Sequence, residues 1–420
     1  GFSSALIRKI DVKDTDYNTV FYFNIVISIC LYILLWICAP AISRFFSESL
    51  LIPVIRVLGL VLIINSCSII QRTVLVRNID FKTQTKVSLI ASLVSGGVGI
   101  TMALYHCGVW SLVGQQLSRQ FFNSVLLWIY GKWRPLWEFS YKSFKDLFGF
   151  GSKLLLSGLI DVFYKNVYYI VIGRYYSATQ LGQYTRAEQF STIFSSNLTS
   201  VVQRVSYPVL SSIQEEPERL RDAYRKIIKV TMLITFALMF GLAAIAKPLI
   251  VILIGEKWLM AVPFLQIICF SEMLYPLHAI NLNILQVRGY SGLFLKLEIV
   301  KKIIAVIPIM IGIFWGINYM LWGAVCISLV SYILNSYYSG RLIDYSTVKQ
   351  VKDIFPCFLV SSLVALLMWG ITFLHFNFLV TLLLQVSVGI LLAIVAYERM
   401  RLEEYKEIRR IILSIIRKNS

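Results

Sequence analysis

Charge is scarce in this chain. Asp, Glu, Lys and Arg together make up 15% of it, where a soluble domain carries about 25%. That excludes a protein wetted on every side. The three histidines, His106, His278 and His375, lie far apart, and no CxxC or His/Cys cluster accompanies them. The seven cysteines fall mostly inside apolar runs, where a thiol acts as a small hydrophobe, so neither a disulfide framework nor a metal site is expected. No GxxxxGK[ST] phosphate loop is present, so the chain has no ATPase of its own. HExxH and GxSxG are missing too. The loops on the outward side are short, the longest running from Gly173 to Gly182. An enzyme working outside the membrane needs more than that. No catalytic residue, cofactor or metal is expected.

What remains is apolar. The chain is 58% hydrophobic, with a mean hydropathy of +0.73. A bilayer-crossing helix needs about 20 apolar residues. Twelve runs meet that length, approximately 19–40, 51–73, 86–105, 108–130, 148–172, 183–206, 228–254, 260–284, 293–315, 318–340, 354–374 and 377–397. The expectation is an all-α polytopic membrane protein.

The net charge of +18 is distributed as topology requires, which argues against nucleic acid as a partner. Most of the 40 basic residues fall in alternate loops and at the two ends. They include Arg77 and Lys82, Lys132 and Arg134, Arg219 and Arg221, Lys301 and Lys302, Lys349 and Lys352, and the tail from Arg399 to Lys418. The opposite loops hold little beyond Arg44, Arg174 and Lys257. The positive-inside rule therefore places both ends of the chain in the cytoplasm, with anionic lipid the simplest partner of this charge. The tail after Tyr397 carries Leu402, Tyr405, Ile408, Ile412 and Ile415 at helical spacing. It reads as a basic amphipathic helix on the cytoplasmic leaflet, or as a short helix docked on the protein itself.

An internal repeat is visible. Pro53, Arg77 and Trp110 recur as Pro263, Arg288 and Trp322 at nearly constant offset, and the apolar pattern between them agrees. Six spans separate equivalent positions, so the copies point the same way across the membrane. The second copy has six spans. The first shows four, which places two more before Gly1 and fourteen in the intact protein. The expected divisions are an N-terminal lobe at 1–131, a cytoplasmic linker at 132–147, a C-terminal lobe at 148–340, an extra helix pair at 354–397 and the tail at 398–420.

Within the spans a few charges stand out. Lys153, Ser157, Asp161 and Lys165 recur every four residues and form one slowly drifting stripe on a helix. A charge at the bilayer centre costs about 3 kcal/mol on insertion scales. Such residues either pair, as Asp161 with Lys165, or line an aqueous cavity. Arg119 lies mid-span in the polar run Gly114 to Gln120. Arg56 sits one to two turns from a helix end and either snorkels or joins the cavity. Glu188 stands beside Arg186, and Glu272 is mid-span near His278. The basic excess suits an anionic headgroup such as a pyrophosphate, which a guanidinium binds through two oxygens at once. Arg56, Arg119, Lys153 and Lys165 are the candidate substrate contacts. Asp161, Glu188 and Glu272 are the candidate carriers of a coupling proton or cation.

Several segments carry a family resemblance: Gly1–Lys9, Phe148–Gly151, Leu181–Ala187, Val205–Ser211 and Gly255–Trp258. With them the chain resembles the Wzx-type polysaccharide flippases, the colanic acid and teichuronic acid exporter branch of the multidrug/oligosaccharidyl-lipid/polysaccharide exporter superfamily. In that family Gly1–Lys9 closes the second span. The resemblance implies two parallel six-helix bundles, the first incomplete here, followed by two extra helices. It implies flipping of undecaprenyl-pyrophosphate-linked oligosaccharide repeat units across the bacterial inner membrane by alternating access, driven by an ion gradient, for exopolysaccharide, O-antigen or capsule. The implied partners are that lipid-linked oligosaccharide, membrane lipids, a glycan polymerase and export machinery. A lipid II-type exporter, a membrane glycan polymerase and a non-transporting scaffold are the alternatives.

Overall fold

The computed structural model describes residue 6 and residues 12–78, 80–131, 133–400, 405–406 and 409–410. The side chains at 146, 147, 149–158, 160, 161, 164, 165, 207, 208 and 291 are outside the described set. Among the described residues the regular structure is helical, with no strand. A backbone immersed in hydrocarbon must satisfy its own N–H and C=O groups, and a helix does so within one segment.

In chain order the helices are α1 Asp14–Phe46, α2 Leu51–Leu58, α3 Leu60–Arg77, α4 Phe81–Leu104, α5 Val109–Tyr130, α6 Tyr141–Tyr175, α7 Ala178–Ser212 and α8 Pro217–Ile254. They continue with α9 Ala261–Glu272, α10 Tyr275–Val287, α11 Ser291–Ile304, α12 Val306–Trp315, α13 Ile317–Leu342, α14 Thr347–Gly370 and α15 Phe378–Arg399. Among the described residues, seven stretches are long and apolar enough to cross a membrane: α1, α2–α3 together, α4, α8, α13, α14 with the short turn after it, and α15. All seven coincide with expected spans. The other five expected spans fall on α5, α6, α7, α9–α10 and α11–α12. Two of these are broken into pieces of 10 to 14 residues. α5 and α7 are long enough but carry many polar side chains. All the candidate charges except Arg56, which lies on α2, fall on these less apolar helices.

The breaks have a local cause. Proline lacks an N–H and crowds the carbonyl four residues earlier. Pro276 stands four residues after Glu272, the last residue of α9, and Pro308 four residues after Ile304, the last of α11. Large apolar side chains such as Ile37, Leu93, Phe314 and Leu391 remain exposed. A hydrocarbon solvent covers such a surface at no cost.

The chain forms two compact units, residues 1–167 and 168–420. In the first, α1 packs on α2 and α3, α3 on α5, and α4 on α5. In the second, α8 packs on α9, α9 and α10 on α13, and α12 on α13, while α14 and α15 pack against α8. The adjacency is the same in both units, as a repeat requires. Local contacts repeat too. The Arg77 guanidinium donates to the Leu6 carbonyl at 2.8 Å. Its counterpart Arg288 donates to the Gln214 carbonyl at 2.9 Å and to that of Leu342 at 3.4 Å. Each arginine donates to a carbonyl that lies before its unit's α1 or α8, and Arg288 also reaches the end of α13. At the start of α4, the backbone N–H and hydroxyl of Thr83 donate to Asp80, which holds that carboxyl below the usual range.

The α4–α5 and α12–α13 hairpins approach closely at glycine. A Cβ on Gly114 would stand 2.3 Å from the Met102 sulfur, and one on Gly323 would stand 2.8 Å from the Pro308 Cβ. Gly114→Val and Gly323→Val should each cost about 1–3 kcal/mol through overpacking. Thermal unfolding in detergent would show it as a lowered midpoint. Gly241→Ala, where a Cβ meets nothing within 4 Å, should hold or raise the midpoint.

Candidate functional site

The first unit holds a basic cavity of about 410 Å³. Its polar groups follow from helical spacing. On α5, Gln116, Arg119, Gln120 and Asn123 share one face; on α3, Asn65 and Arg72 stand two turns apart. The two faces meet. The Gln120 amide donates to Asn65 Oδ1 at 2.9 Å, and an Arg72 Nη donates to Asn123 Oδ1 at 3.2 Å. α4 closes the cavity with Gln84, Val87 and Ser88. Two guanidinium groups, four side-chain amides and a serine hydroxyl thus line one space, and no carboxylate is among the lining residues. Both arginines are exposed to that space. The arrangement can bind an anion with oxygens on more than one side.

Arg119 therefore lies where a cavity contact was expected, and it has Arg72 as a neighbour. Arg56 is elsewhere: its guanidinium stacks over the Trp36 ring, 4.5 Å from the centroid, with a buried Nε that has no partner. The side chains of Lys153, Asp161 and Lys165 lie outside the described residues.

The second unit holds the two remaining candidate carboxylates. Glu188, on α7, accepts hydrogen bonds from the hydroxyl of Tyr169 on α6 and, at 3.4 Å, from that of Tyr184 one turn earlier. Tyr184 is 5% exposed and packs against the rings of Tyr168 and Tyr169. Glu272, at the end of α9, accepts from Ser195 on α7 at 2.5 Å. Neither carboxylate forms an ion pair with a described residue. Arg186 turns away to Gln189 Oε1 at 2.9 Å and stacks over Trp258, 5.4 Å from the ring centroid.

At the proline break after Glu272, the freed Ser271 carbonyl accepts from Ser328 of α13 at 3.0 Å. That hydroxyl has one proton to give, so at the 3.1 Å contact His278 Nε2 is the donor. Farther along, the Arg225 guanidinium grips both oxygens of Asp353, with one contact at 2.7 Å, and Tyr345 donates to the same carboxylate at 2.7 Å. Burial, reinforced by that carboxylate, pushes the Tyr345 hydroxyl above the ordinary tyrosine range.

Arg72, Tyr169 and Ser195 were not anticipated as site residues. In the sequence Arg72 stands near a helix end beside Arg77, where a basic residue reads as topology. The signal that would have found it is the amide face of α5, which needs a polar partner across the helix pair. Tyr169 and Ser195 carried no signal until their helices were placed.

A family profile described as "Polysaccharide biosynthesis protein" matches residues 1–263. The chain is 25% identical over 394 residues to the teichuronic acid biosynthesis protein TuaB of Bacillus subtilis (strain 168), covering 93% of this chain and 82% of that protein. It is 23% identical over 319 residues to the lipopolysaccharide biosynthesis protein WzxC of Escherichia coli (strain K12), covering 74% of this chain and 64% of that one. In fold it is similar to the lipid II flippase MurJ in an inward closed conformation. The TM-score is 0.75 at 14% identity, over 95% of this chain and 88% of MurJ.

Ser328→Ala should leave the Ser271 carbonyl and His278 Nε2 without partners. The expected cost is about 1–3 kcal/mol. A lowered unfolding midpoint in detergent, with Ser328→Thr close to wild type, would bear this out.

Proposed function

Because the chain belongs to the polysaccharide biosynthesis protein family, we propose that it is a flippase. Its cargo is the undecaprenyl-pyrophosphate-linked oligosaccharide repeat unit, carried across the bacterial inner membrane by alternating access. The observation that carries this reading is the cavity in which Arg72 and Arg119 stand among amides with no carboxylate. A cationic drug would be repelled there. A diphosphate would be held by guanidinium forks that match its oxygens, while the amides reach further acceptors. The biosynthetic roles in the names of TuaB and WzxC, and the lipid II flippase named among the fold's neighbours, support the same reading.

In this account Arg56, Arg119, Lys153 and Lys165 belong to the substrate path, with Arg72 added to them. Asp161, Glu188 and Glu272 serve the coupling ion. Residues 1–131 and 148–340 act as the two lobes, with 354–397 an added helix pair. Both ends of the chain face the cytoplasm, where the basic loops meet anionic lipid. A glycan polymerase and export machinery take up the product. Moving a lipid-linked headgroup from one leaflet to the other makes and breaks no covalent bond, so the reading asks for no catalytic group.

Arg72→Ala and Arg119→Ala should each lower surface glycan sharply while the protein stays at its normal level in the membrane. Lysine at either position should restore it only in part, since an ammonium does not form the two-pronged contact. Quantitative surface-glycan staining with membrane immunoblots is the check, and wild-type export by both alanine variants would remove the cavity from the mechanism. Asp161→Asn should change the ion or pH dependence of export more than its substrate affinity. An unchanged dependence would take Asp161 out of the coupling step.

A further inference from the structure

Helix α7 presents three faces. Tyr184, Ser191, Ser195 and Thr199 turn inward, and each is 5% exposed or less. Phe190, Phe194, Val201 and Val205 share a second face, where the last three are between 40% and 60% exposed. A membrane protein shows such side chains to lipid. The third face is polar. Thr185, Gln189, Thr192, Ser196, Ser200 and Gln203 follow one another at intervals of three or four residues, which on a helix makes a single stripe. Gln189, Ser196, Ser200 and Gln203 are exposed, and the two threonines partly so. None of the six is charged. At 1.5 Å per residue the stripe is about 27 Å long, close to the thickness of a bilayer's hydrocarbon.

Hydrocarbon offers no partner to the glutamine amides or to the hydroxyl lone pairs. The helix already has a separate exposed face for lipid. The polar stripe therefore meets water or a polar ligand.

The hydrogen bonds decide which ligand fits. Thr185 donates to the Leu181 carbonyl at 2.7 Å, Thr192 to that of Glu188 at 2.8 Å and Ser200 to that of Ser196 at 2.8 Å, while Ser196 donates to that of Thr192. All four hydroxyl protons are used within the helix, and the oxygens remain as acceptors. Gln189 receives Arg186 on its Oε1 at 2.9 Å and keeps its N–H groups for an outside acceptor. An uncharged row of this kind has little hold on a diphosphate, which calls for cations. Nor do its oxygens converge on one point, as those around a metal cation must. It matches a polyhydroxyl chain, whose O–H groups donate and whose ring oxygens accept.

We propose that this face of α7 is a carbohydrate track, to which the sugars of the lipid-linked headgroup hydrogen-bond as they cross the bilayer. The identity of that ligand rests on the flippase reading. Similar groups repeat along the stripe, so a sugar released at one turn finds an equivalent partner at the next. The diphosphate is left to the arginines of the first unit.

Gln189→Cys, Ser196→Cys and Ser200→Cys test this in proteoliposomes. Val201→Cys is the lipid-side reference, and the unsubstituted protein gives the background of its seven native cysteines. A charged, water-soluble methanethiosulfonate should label the stripe cysteines severalfold faster than Val201→Cys. The lipid-linked repeat unit extracted from the producing bacterium should slow that labelling, and undecaprenyl diphosphate without sugars should not. Stripe cysteines that label no faster than Val201→Cys are covered by lipid or protein, and overturn the track. Equal protection by the two lipids overturns it too, since the occupant is then the diphosphate. The flippase reading is scored separately, by the accessibility from outside of a fluorescent repeat unit in the same vesicles. Flipping without protection by the sugars sinks the track alone. Protection without flipping keeps the carbohydrate face and sinks the flippase.

Discussion

Hydrocarbon does not solvate a polar group, and the organisation of this molecule follows from that constraint. Each charge, hydroxyl and unpaired carbonyl within the spans has to find a partner inside the protein or face a water-filled space. The proline break between α9 and α10 exposes the Ser271 carbonyl, and Ser328 crosses from α13 to meet it. The repeat arginines Arg77 and Arg288 end their helices by donating to carbonyls of the incoming chain. Glu188 and Glu272 are held by hydroxyls. Arg72 and Arg119 take the second course. They open into a cavity lined by amides, where Arg72 also donates to Asn123.

The two units carry opposite chemistry on one plan. Their helices follow the same order and adjacency, and in each a hairpin closes on a glycine, Gly114 in one and Gly323 in the other. Yet the first presents guanidinium groups to a cavity, and the second holds half-buried carboxylates against serine and tyrosine. In the proposed function this separates the work: the basic unit recognises a diphosphate, and the acidic unit handles the ion. A repeat suits such a division, because each copy can diverge at a few positions without disturbing the shared packing.

Much of this was legible in the sequence, because a bilayer leaves a strong periodic record. The apolar runs foretold an all-helical membrane protein, and all seven stretches long and apolar enough to cross a membrane coincide with them. Arg119, Glu188 and Glu272 stood out as charges in apolar surroundings. What the sequence hid were relations between distant positions. Arg72 looked like one more basic residue at a helix end until Asn123, 51 residues away, was seen to hold it. Arg225 and Asp353 lie 128 residues apart, and each alone reads as a solvated charge. Ser191 and Ser195 are unremarked in a list of residues. They acquire meaning only because α7 turns that face inward, and serine is small enough for two helices to close over it.

The most direct measurement deletes the gene and assays on which side of the inner membrane the lipid-linked repeat unit collects. The account predicts accumulation on the cytoplasmic side with surface glycan lost, and the sugars recovered would identify the substrate. Repeat units that still reached the outer side, but stayed unpolymerised, would contradict it and point to a polymerase or scaffold.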